Sequence, residues 1–119
     1  MTFSQELKKL NKQQREAVEA IEGPVMVVAG PGTGKTQILT LRIANILQKT
    51  DTTPESILAL TFTESAVASM RKRLSEVAGG AVAGKVAIKT IHGFCNEVIS
   101  NHPESFPEIA GGQSVGDVE

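Results

Sequence analysis

The chain has 119 residues, 40% of them hydrophobic and 21% charged, which suits one domain with a hydrophobic core. Its net charge of -1 argues against disorder and against a histone-like positive surface. It has no apolar run of about 18 residues, no secretory signal pattern and a single cysteine, Cys95. We therefore expect a cytoplasmic protein with no membrane partner and no internal disulfide.

The first half of the sequence predicts a helix, a strand and a second helix. Apolar residues at three- and four-residue spacing predict one amphipathic helix over residues 4–22, ended by the Gly-Pro pair at 23–24. The apolar run 25–29 is typical of a strand buried on both faces. A glycine-rich loop over 30–34 then leads into a largely apolar helix over 34–48.

The second half repeats this alternation. We predict a second buried strand over 57–62 and a helix over 64–78, whose basic run 71–73 points outward. Residues 85–90 alternate between apolar and polar, as in a half-exposed or edge strand, and a helix follows over 91–101. Strands that alternate with helices at this spacing predict an α/β fold with parallel strands.

The strongest motif joins the first predicted strand to its helix and reads Ala29-Gly30-Pro31-Gly32-Thr33-Gly34-Lys35-Thr36. In such a P-loop the glycines let backbone N–H groups turn toward a phosphate, and the helix N-terminus adds further donors. Lys35 supplies a charge for the β- and γ-phosphates, and the Thr36 hydroxyl is a ligand for Mg²⁺. The alternative is a ligand-free glycine turn, in which Lys35 and Thr36 would have no obvious packing role. Ala29 replaces the first glycine of the strict pattern, which is a small change.

Gln14 is a polar residue on the apolar stripe of the first predicted helix. A buried amide needs hydrogen-bond partners, since an unpaired one costs about 1–3 kcal/mol. An adenine edge offers both a donor and an acceptor to one carboxamide. Periodicity alone favours the other interpretation, in which Gln14 bonds nearby backbone.

Four stretches together resemble the UvrD/Rep/RecB superfamily 1 DNA helicases. They are residues 10–18 (the Q motif), 29–36 (motif I), 60–74 (motif Ia) and 90–95 (motif Ib). The resemblance implies the N-terminal portion of a RecA-like P-loop NTPase, a three-layer α/β fold with a parallel sheet. Residues 1–103 would belong to its ATP-binding domain, and residues 104–119 would be a tail or linker.

The resemblance also implies roles for residues near ATP and Mg²⁺. It assigns an adenine contact to Gln14 and the catalytic phosphate and Mg²⁺ contacts to Lys35 and Thr36. Gln37 stands where the family often has an arginine near the nucleotide, so we expect no strong contact from it. The nucleotide site would then comprise Gln14, Ala29, Gly30, Pro31, Gly32, Thr33, Gly34, Lys35, Thr36 and Gln37.

The same resemblance implies contacts with single-stranded or duplex DNA. Thr63 can cap the following helix, and the hydroxyls of Thr61 and Thr63 suit a DNA phosphate. Phe62 either stacks on a base or is a core residue. Thr90 and His92 would lie near the DNA strand, although a histidine that caps local backbone is an alternative. The basic run 71–73 is more typical of a solvated helix face.

The acidic pair that ATP hydrolysis requires is not apparent. Asp51 lies in a predicted turn and Asp117 in the tail, and neither follows a buried strand. We therefore expect an ATP-binding segment of an ATP-dependent DNA helicase or helicase-nuclease, inactive without a second RecA-like domain. Exposed strand edges would favour self-association. The alternatives are another P-loop NTPase, such as a small nucleotide kinase, and a nucleotide-binding or interaction module without turnover.

Overall fold

The computed structural model describes residues 2–28 and 34–107. Its helices are α1 (Phe3–Lys8), α2 (Lys12–Glu19), α3 (Lys35–Lys49), α4 (Glu64–Ala78), α5 (Gly80–Lys85) and α6 (Ile91–Asn101), and its strands are β1 (Leu58–Thr61) and β2 (Ala87–Thr90). Single 3₁₀ turns lie at Pro54–Ser56 and Pro103–Ser105. None of the helices in this part of the chain has both the length and the apolar character needed to cross a bilayer.

The single helix predicted over residues 4–22 is wrong, because two short helices occupy this stretch. The side-chain oxygen of Asn11 accepts the backbone N–H of Gln14 at 2.8 Å, and Oε1 of Gln14 accepts the backbone N–H of Asn11 at 3.0 Å. This reciprocal capping box starts α2 and interrupts the run of helix. Thr2 and Gln5 form the same arrangement at the start of α1.

Loss of the cap on α2 has a predictable cost. We expect Asn11→Ala to lower the free energy of unfolding by about 1 kcal/mol, the usual worth of an N-cap side chain. Asn11→Ser retains an acceptor and should restore most of that stability. Asn101→Ala, an exposed asparagine at the last residue of α6, is the matched control. Thermal unfolding followed by circular dichroism measures all three, and an unchanged midpoint for Asn11→Ala would refute the capping role.

The buried strand predicted over residues 25–29 is wrong for residues 25–28, which form no strand. Met26 and Val28 are 89% and 93% exposed. An apolar run becomes a strand only when a neighbouring strand pairs with its backbone N–H and C=O groups. In the described ranges β1 and β2 pair with each other, and neither pairs with this segment. Residues 29–33, which carry the rest of the predicted strand and most of the glycine loop, lie outside the described residues.

The sheet is a parallel pair of strands, which confirms the predicted parallel arrangement at this position. Its register aligns Leu58 with Ala87, Ala59 with Ile88, Leu60 with Lys89 and Thr61 with Thr90. The strand predicted over residues 57–62 forms as β1, but the prediction that it is buried is wrong, because Leu58 and Leu60 are 44% and 41% exposed. The sequence predicted three strands, and the described residues contain two of them, β1 and β2.

The core consists of two clusters that meet α3 on different sides. The larger cluster joins α3 to α4, α5 and β2 through Ile43, Ala44, Met70, Leu74, Ala83, Val86 and Ile88. The smaller cluster joins α2 to α3 through Ala17, Val18, Ile38 and Leu41. Helices α4 and α6 have the predicted bounds, and α3 begins and ends one residue later than predicted. Apolar periodicity therefore located the helices that carry most of the core.

Helix α5 was not predicted, and it changes the environment of Arg71. Gly79 joins α4 to α5 with φ of +94°, a left-handed region that glycine adopts without strain. Arg71, predicted to point outward, instead donates from one guanidinium nitrogen to the carbonyl oxygens of Ala83 at 2.7 Å and Val86 at 3.2 Å. Because these carbonyls belong to α5 and its C-terminal end, Arg71 fastens α5 to α4.

Candidate functional site

A cavity of about 560 Å³ lies where α1, α2, α3 and α4 approach one another. Its lining comprises Glu6, Lys9, Leu10, Gln14, Gly34, Gln37, Ser69, Lys72, Arg73, Glu76 and Val77. This volume is within the range of ordinary small-ligand pockets. Three residues of the predicted nucleotide site, Gln14, Gly34 and Gln37, thus face one space. We call it the base cavity.

The start of α3 forms one wall of the base cavity. Gly34 is its N-cap with φ of +76°, and no side chain in the described part of the chain caps the first turn. No atom of the described residues would lie within 4 Å of a Cβ on Gly34, and the left-handed φ at this position favours glycine. Lys35 is the first helical residue and is exposed. An uncapped helix N-terminus with an adjacent lysine has the donors and the charge that a phosphate requires.

Gln14 is half-buried at the edge of the base cavity. Its Oε1 accepts the backbone N–H of Asn11, so the interpretation in which this amide bonds nearby backbone is confirmed. A carboxamide has several donor and acceptor positions, so this cap does not exclude a contact with adenine. The adenine contact itself stays a prediction.

Helix α2 is held against α3 by side chains that reach its C-terminal carbonyl groups. Nδ2 of buried Asn45 donates to the carbonyl of Val18 at 3.2 Å, and the guanidinium of Arg42 donates to the carbonyl of Ala20 at 2.9 Å. The last carbonyls of a helix lack partners within it, so these bonds satisfy groups that would otherwise be unpaired. They fix the position of Gln14 relative to the start of α3.

A polar chain of side chains crosses the base cavity, and sequence reasoning missed most of it. Nε2 of Gln37 donates to Oε1 of Glu6 at 2.8 Å, and Lys9 donates to Oε2 of Glu6 at 2.9 Å. On the other side, the guanidinium of Arg73 donates to Oε1 of Gln37 at 3.3 Å. Gln37 therefore contacts side chains from both α1 and α4. The capping signal Thr2-x-x-Gln5 could have located α1 and so placed Glu6 on its inner face.

Lys35 faces a different space from Gly34, although the two residues are adjacent. A smaller cavity of about 240 Å³ is lined by Ala17, Val25, Val27, Lys35, Ile38, Leu39 and Arg42. The first turn of α3 thus separates the base cavity from the position of the lysine. Ala29, Gly30, Pro31, Gly32 and Thr33, the predicted phosphate loop before this turn, lie outside the described residues.

The predicted DNA-binding residues meet at the carboxyl end of the parallel strands. Thr61 of β1 is the register partner of Thr90 of β2. Thr63 caps α4 by accepting the N–H of Ala66 at 3.0 Å, which confirms the predicted cap. Thr90 caps α6 in the same way, through the N–H of Gly93 at 3.0 Å. Two helices therefore begin side by side at this edge, each capped by a threonine.

Phe62 and His92 complete this edge, and both are exposed. Phe62 is 85% exposed, so the interpretation of this side chain as a core residue is wrong. An exposed aromatic ring beside two helix N-termini provides a stacking surface next to backbone N–H donors. We call Thr61, Phe62, Thr63, Thr90 and His92 the strand-end surface.

Helix α4 links the strand-end surface to the base cavity. Its N-cap, Thr63, belongs to the surface, and Ser69, Lys72, Arg73 and Glu76 along its length line the cavity. Of the predicted nucleotide-site residues, the structure brings Gln14, Gly34 and Gln37 to one cavity, and the predicted DNA-binding residues lie together at the strand ends. The sequence did not indicate that one helix contributes to both.

These elements define the chain as an α/β protein in which parallel strands end at capped helices and a ligand-sized cavity adjoins a helix N-terminus. Residues 10–117 match the UvrD/REP helicase N-terminal domain. The chain therefore belongs to the UvrD/REP helicase family, as the four sequence motifs implied.

Relatives in this family include two staphylococcal proteins named ATP-dependent DNA helicase PcrA. The chain is 40% identical over 93 residues to that of Staphylococcus epidermidis and 39% identical over 93 residues to that of Staphylococcus aureus. Each match covers 78% of this chain and 13% of the helicase. The chain thus spans a small part of the length of these relatives.

Proposed function

We propose that this chain is the ATP-binding and partly single-stranded-DNA-binding segment of an ATP-dependent DNA helicase or helicase-nuclease. The observation that carries the proposal is the base cavity, where Gln14 of α2 and Gln37 of α3 meet beside Gly34. The names of the staphylococcal relatives support the same activity for the whole protein. That protein would couple ATP hydrolysis to translocation along DNA, in the cytoplasm and in repair or related pathways.

The geometry of the described residues supports ATP as the ligand. The base would enter the base cavity near Gln14, and the phosphates would lie at the uncapped first turn of α3, toward Lys35. Ala29, Gly30, Pro31, Gly32 and Thr33 would complete the phosphate cradle. Mg²⁺, held by the Thr36 hydroxyl and the phosphates, would offset the charge of the triphosphate. The ammonium group of Lys35 would add a further positive charge beside the triphosphate.

DNA would bind across the strand-end surface. Thr61 and Thr63 would contact a backbone phosphate together with the first N–H groups of α4, and Phe62 would stack on a base. Thr90 and His92 would contact the same strand beside the start of α6. None of these five residues lines the base cavity, so ATP and DNA would bind at different places on the chain.

We propose that residues 1–103 contribute to the first RecA-like domain and that residues 104–119 lead to other parts of the helicase. The acidic pair for hydrolysis and the second RecA-like domain would come from those parts, so this chain alone would bind ATP without turnover. Exposed apolar side chains, including those of Val28, Leu58 and Leu60, would pair with them or with a second copy of the chain.

Direct binding measurements test this function. The chain is titrated with a fluorescent ATP analogue in the presence of Mg²⁺, and separately with a labelled oligothymidylate. The proposal expects saturable binding of both and negligible release of phosphate. Rapid phosphoryl transfer to a small acceptor would instead establish a nucleotide kinase, and binding of neither ligand would favour an interaction module.

Substitution of the exposed Phe62 is the most direct test of the proposed DNA contact. We expect Phe62→Ala to weaken oligothymidylate binding about tenfold, because stacking of one base contributes about 1–3 kcal/mol. Phe62→Trp keeps an aromatic face and should bind within a factor of about two of the unmodified chain. Leu58→Ala, at the opposite end of β1, is the matched control. Fluorescence anisotropy measures the affinities, and an equal loss for Phe62→Ala and Leu58→Ala would contradict stacking.

A further inference from the structure

The carboxylate of Glu6 is the least expected group in the base cavity. Its side chain is only 7% exposed, and it accepts hydrogen bonds from Lys9 and Gln37. A buried charge that has partners rarely adds stability over a well-packed apolar side chain. Leu10, a neighbour on the same cavity wall, shows that an apolar residue can occupy this lining. Stability alone therefore gives no reason for an acid at this position.

The carboxylate has a definite effect on Gln37. An ionised carboxylate can only accept hydrogen bonds, so Gln37 must turn its NH₂ group toward Glu6. The carbonyl oxygen of the same amide then faces the opposite way, where it accepts a hydrogen bond from Arg73. Reversal of the amide would place NH₂ against a guanidinium, which has no acceptor. Glu6 thus fixes the orientation that holds Arg73.

Arg73 lies at the part of the cavity that a nucleotide's base and ribose would occupy. Gln14 and Gly34 line the same cavity as Arg73, whereas Lys35 lines the smaller one beyond the first turn of α3. The phosphates belong near Lys35, so the other end of the nucleotide would face Arg73. A planar guanidinium can stack on a purine and donate hydrogen bonds to hydroxyl groups.

We infer that Arg73 contacts the base and ribose of the bound adenine nucleotide, and that Glu6 and Gln37 are positioning residues that hold its guanidinium in place. The inference rests on the proposed function, because it concerns the same ATP site. It adds a contact from α4, the helix whose N-terminus belongs to the strand-end surface. Nucleotide binding at Arg73 would therefore act on the helix that also carries Thr63.

The test compares ATP with inorganic tripolyphosphate, which has the phosphates but neither base nor ribose. We expect Arg73→Gln to weaken ATP binding about tenfold, the effect of one lost charged contact, and to leave tripolyphosphate binding unchanged. Arg71→Gln is the matched control on the same helix. It loses bonds to Ala83 and Val86, so it should lower the unfolding temperature without changing the ATP-to-tripolyphosphate ratio.

Two further variants test the positioning role. Glu6→Leu removes the acceptor for Gln37 and should reproduce part of the Arg73→Gln defect, whereas Glu6→Gln retains an acceptor and should restore most ATP affinity. In the unmodified chain the side chain of Gln37 contacts both Glu6 and Arg73. The double variant Gln37→Arg with Arg73→Gln therefore moves the guanidinium to a neighbouring position in the same cavity. It should recover ATP affinity relative to Arg73→Gln alone.

Each other outcome overturns a defined statement. Unchanged ATP binding by Arg73→Gln, or an equal loss of ATP and tripolyphosphate, would overturn the contact of Arg73 with base and ribose. Normal ATP binding by Glu6→Leu beside a defective Arg73→Gln would overturn the role of Glu6. If the unmodified chain bound tripolyphosphate as tightly as ATP, the contact of Arg73 with base and ribose would be refuted, and the phosphate site near Lys35 would be retained. If the unmodified chain bound neither ligand, the proposed ATP-binding function itself would be refuted.

Discussion

The Lys35→Ala substitution is expected to weaken ATP binding about 10- to 100-fold, the equivalent of one charged hydrogen-bonding contact of about 1.5–3 kcal/mol. Lys35 is exposed at the first position of α3, and it belongs to neither core cluster. Its loss should therefore change binding without changing the fold. Isothermal titration calorimetry with ATP and Mg²⁺ measures the effect, and circular dichroism checks the helix content.

Tripolyphosphate separates the role of Lys35 from that of Arg73. Because Lys35 would contact the phosphates, Lys35→Ala should weaken tripolyphosphate and ATP to the same extent. The matched control is Lys49→Ala, an exposed lysine at the last residue of the same helix. Equal ATP affinity of Lys35→Ala and the unmodified chain would refute the phosphate site. An equal loss in Lys49→Ala would indicate a general effect of charge.

The helices that the sequence predicted best are those with both a periodic apolar face and a local start signal. Helix α4 follows the N-cap Thr63, and α6 follows the N-cap Thr90, so periodicity and capping agree on where each begins. At the N-terminus these signals disagreed. The apolar stripe continued through Asn11, and the capping box with Gln14 determined the outcome.

The segment over residues 25–28 shows that an apolar pattern does not by itself determine whether a strand forms. Its apolar residues resemble those of a buried strand, but burial and strand geometry depend on a neighbour that pairs with it. That neighbour is not specified by the run itself. Leu58 and Leu60 show the same dependence within a strand that did form, because pairing with β2 leaves one face of β1 exposed.

Residues of the candidate site were predictable where local rules place them together. The carboxyl ends of parallel strands meet at the same edge of a sheet, and the register places Thr61 beside Thr90 there. The base cavity depends instead on packing between separate helices. Gln37 and Arg73 are 36 positions apart, and their contact follows from how α3 packs against α4. No spacing rule within one element could have indicated that contact.

The packing of α3 against α4 also determines the largest expected effect on stability. Leu74 is fully buried in the larger core cluster, so Leu74→Ala should lower the free energy of unfolding by about 3 kcal/mol, from lost burial and the cavity left behind. Leu39→Ala is the matched control, because Leu39 is 45% exposed, and it should cost less than about 1 kcal/mol. Urea titration followed by circular dichroism gives both values.

Ligand binding distinguishes this stability effect from an effect on the site. Leu74 is not among the residues that line the base cavity, although its neighbour Arg73 is. Because ATP would bind only the folded chain, it should stabilise Leu74→Ala and the unmodified chain equally at a given saturation. Arg73→Gln should show the reverse, with little change in urea midpoint without ATP and a smaller increase with it. If ATP failed to stabilise Leu74→Ala while stabilising the unmodified chain, the core of α4 and the nucleotide site would be inseparable.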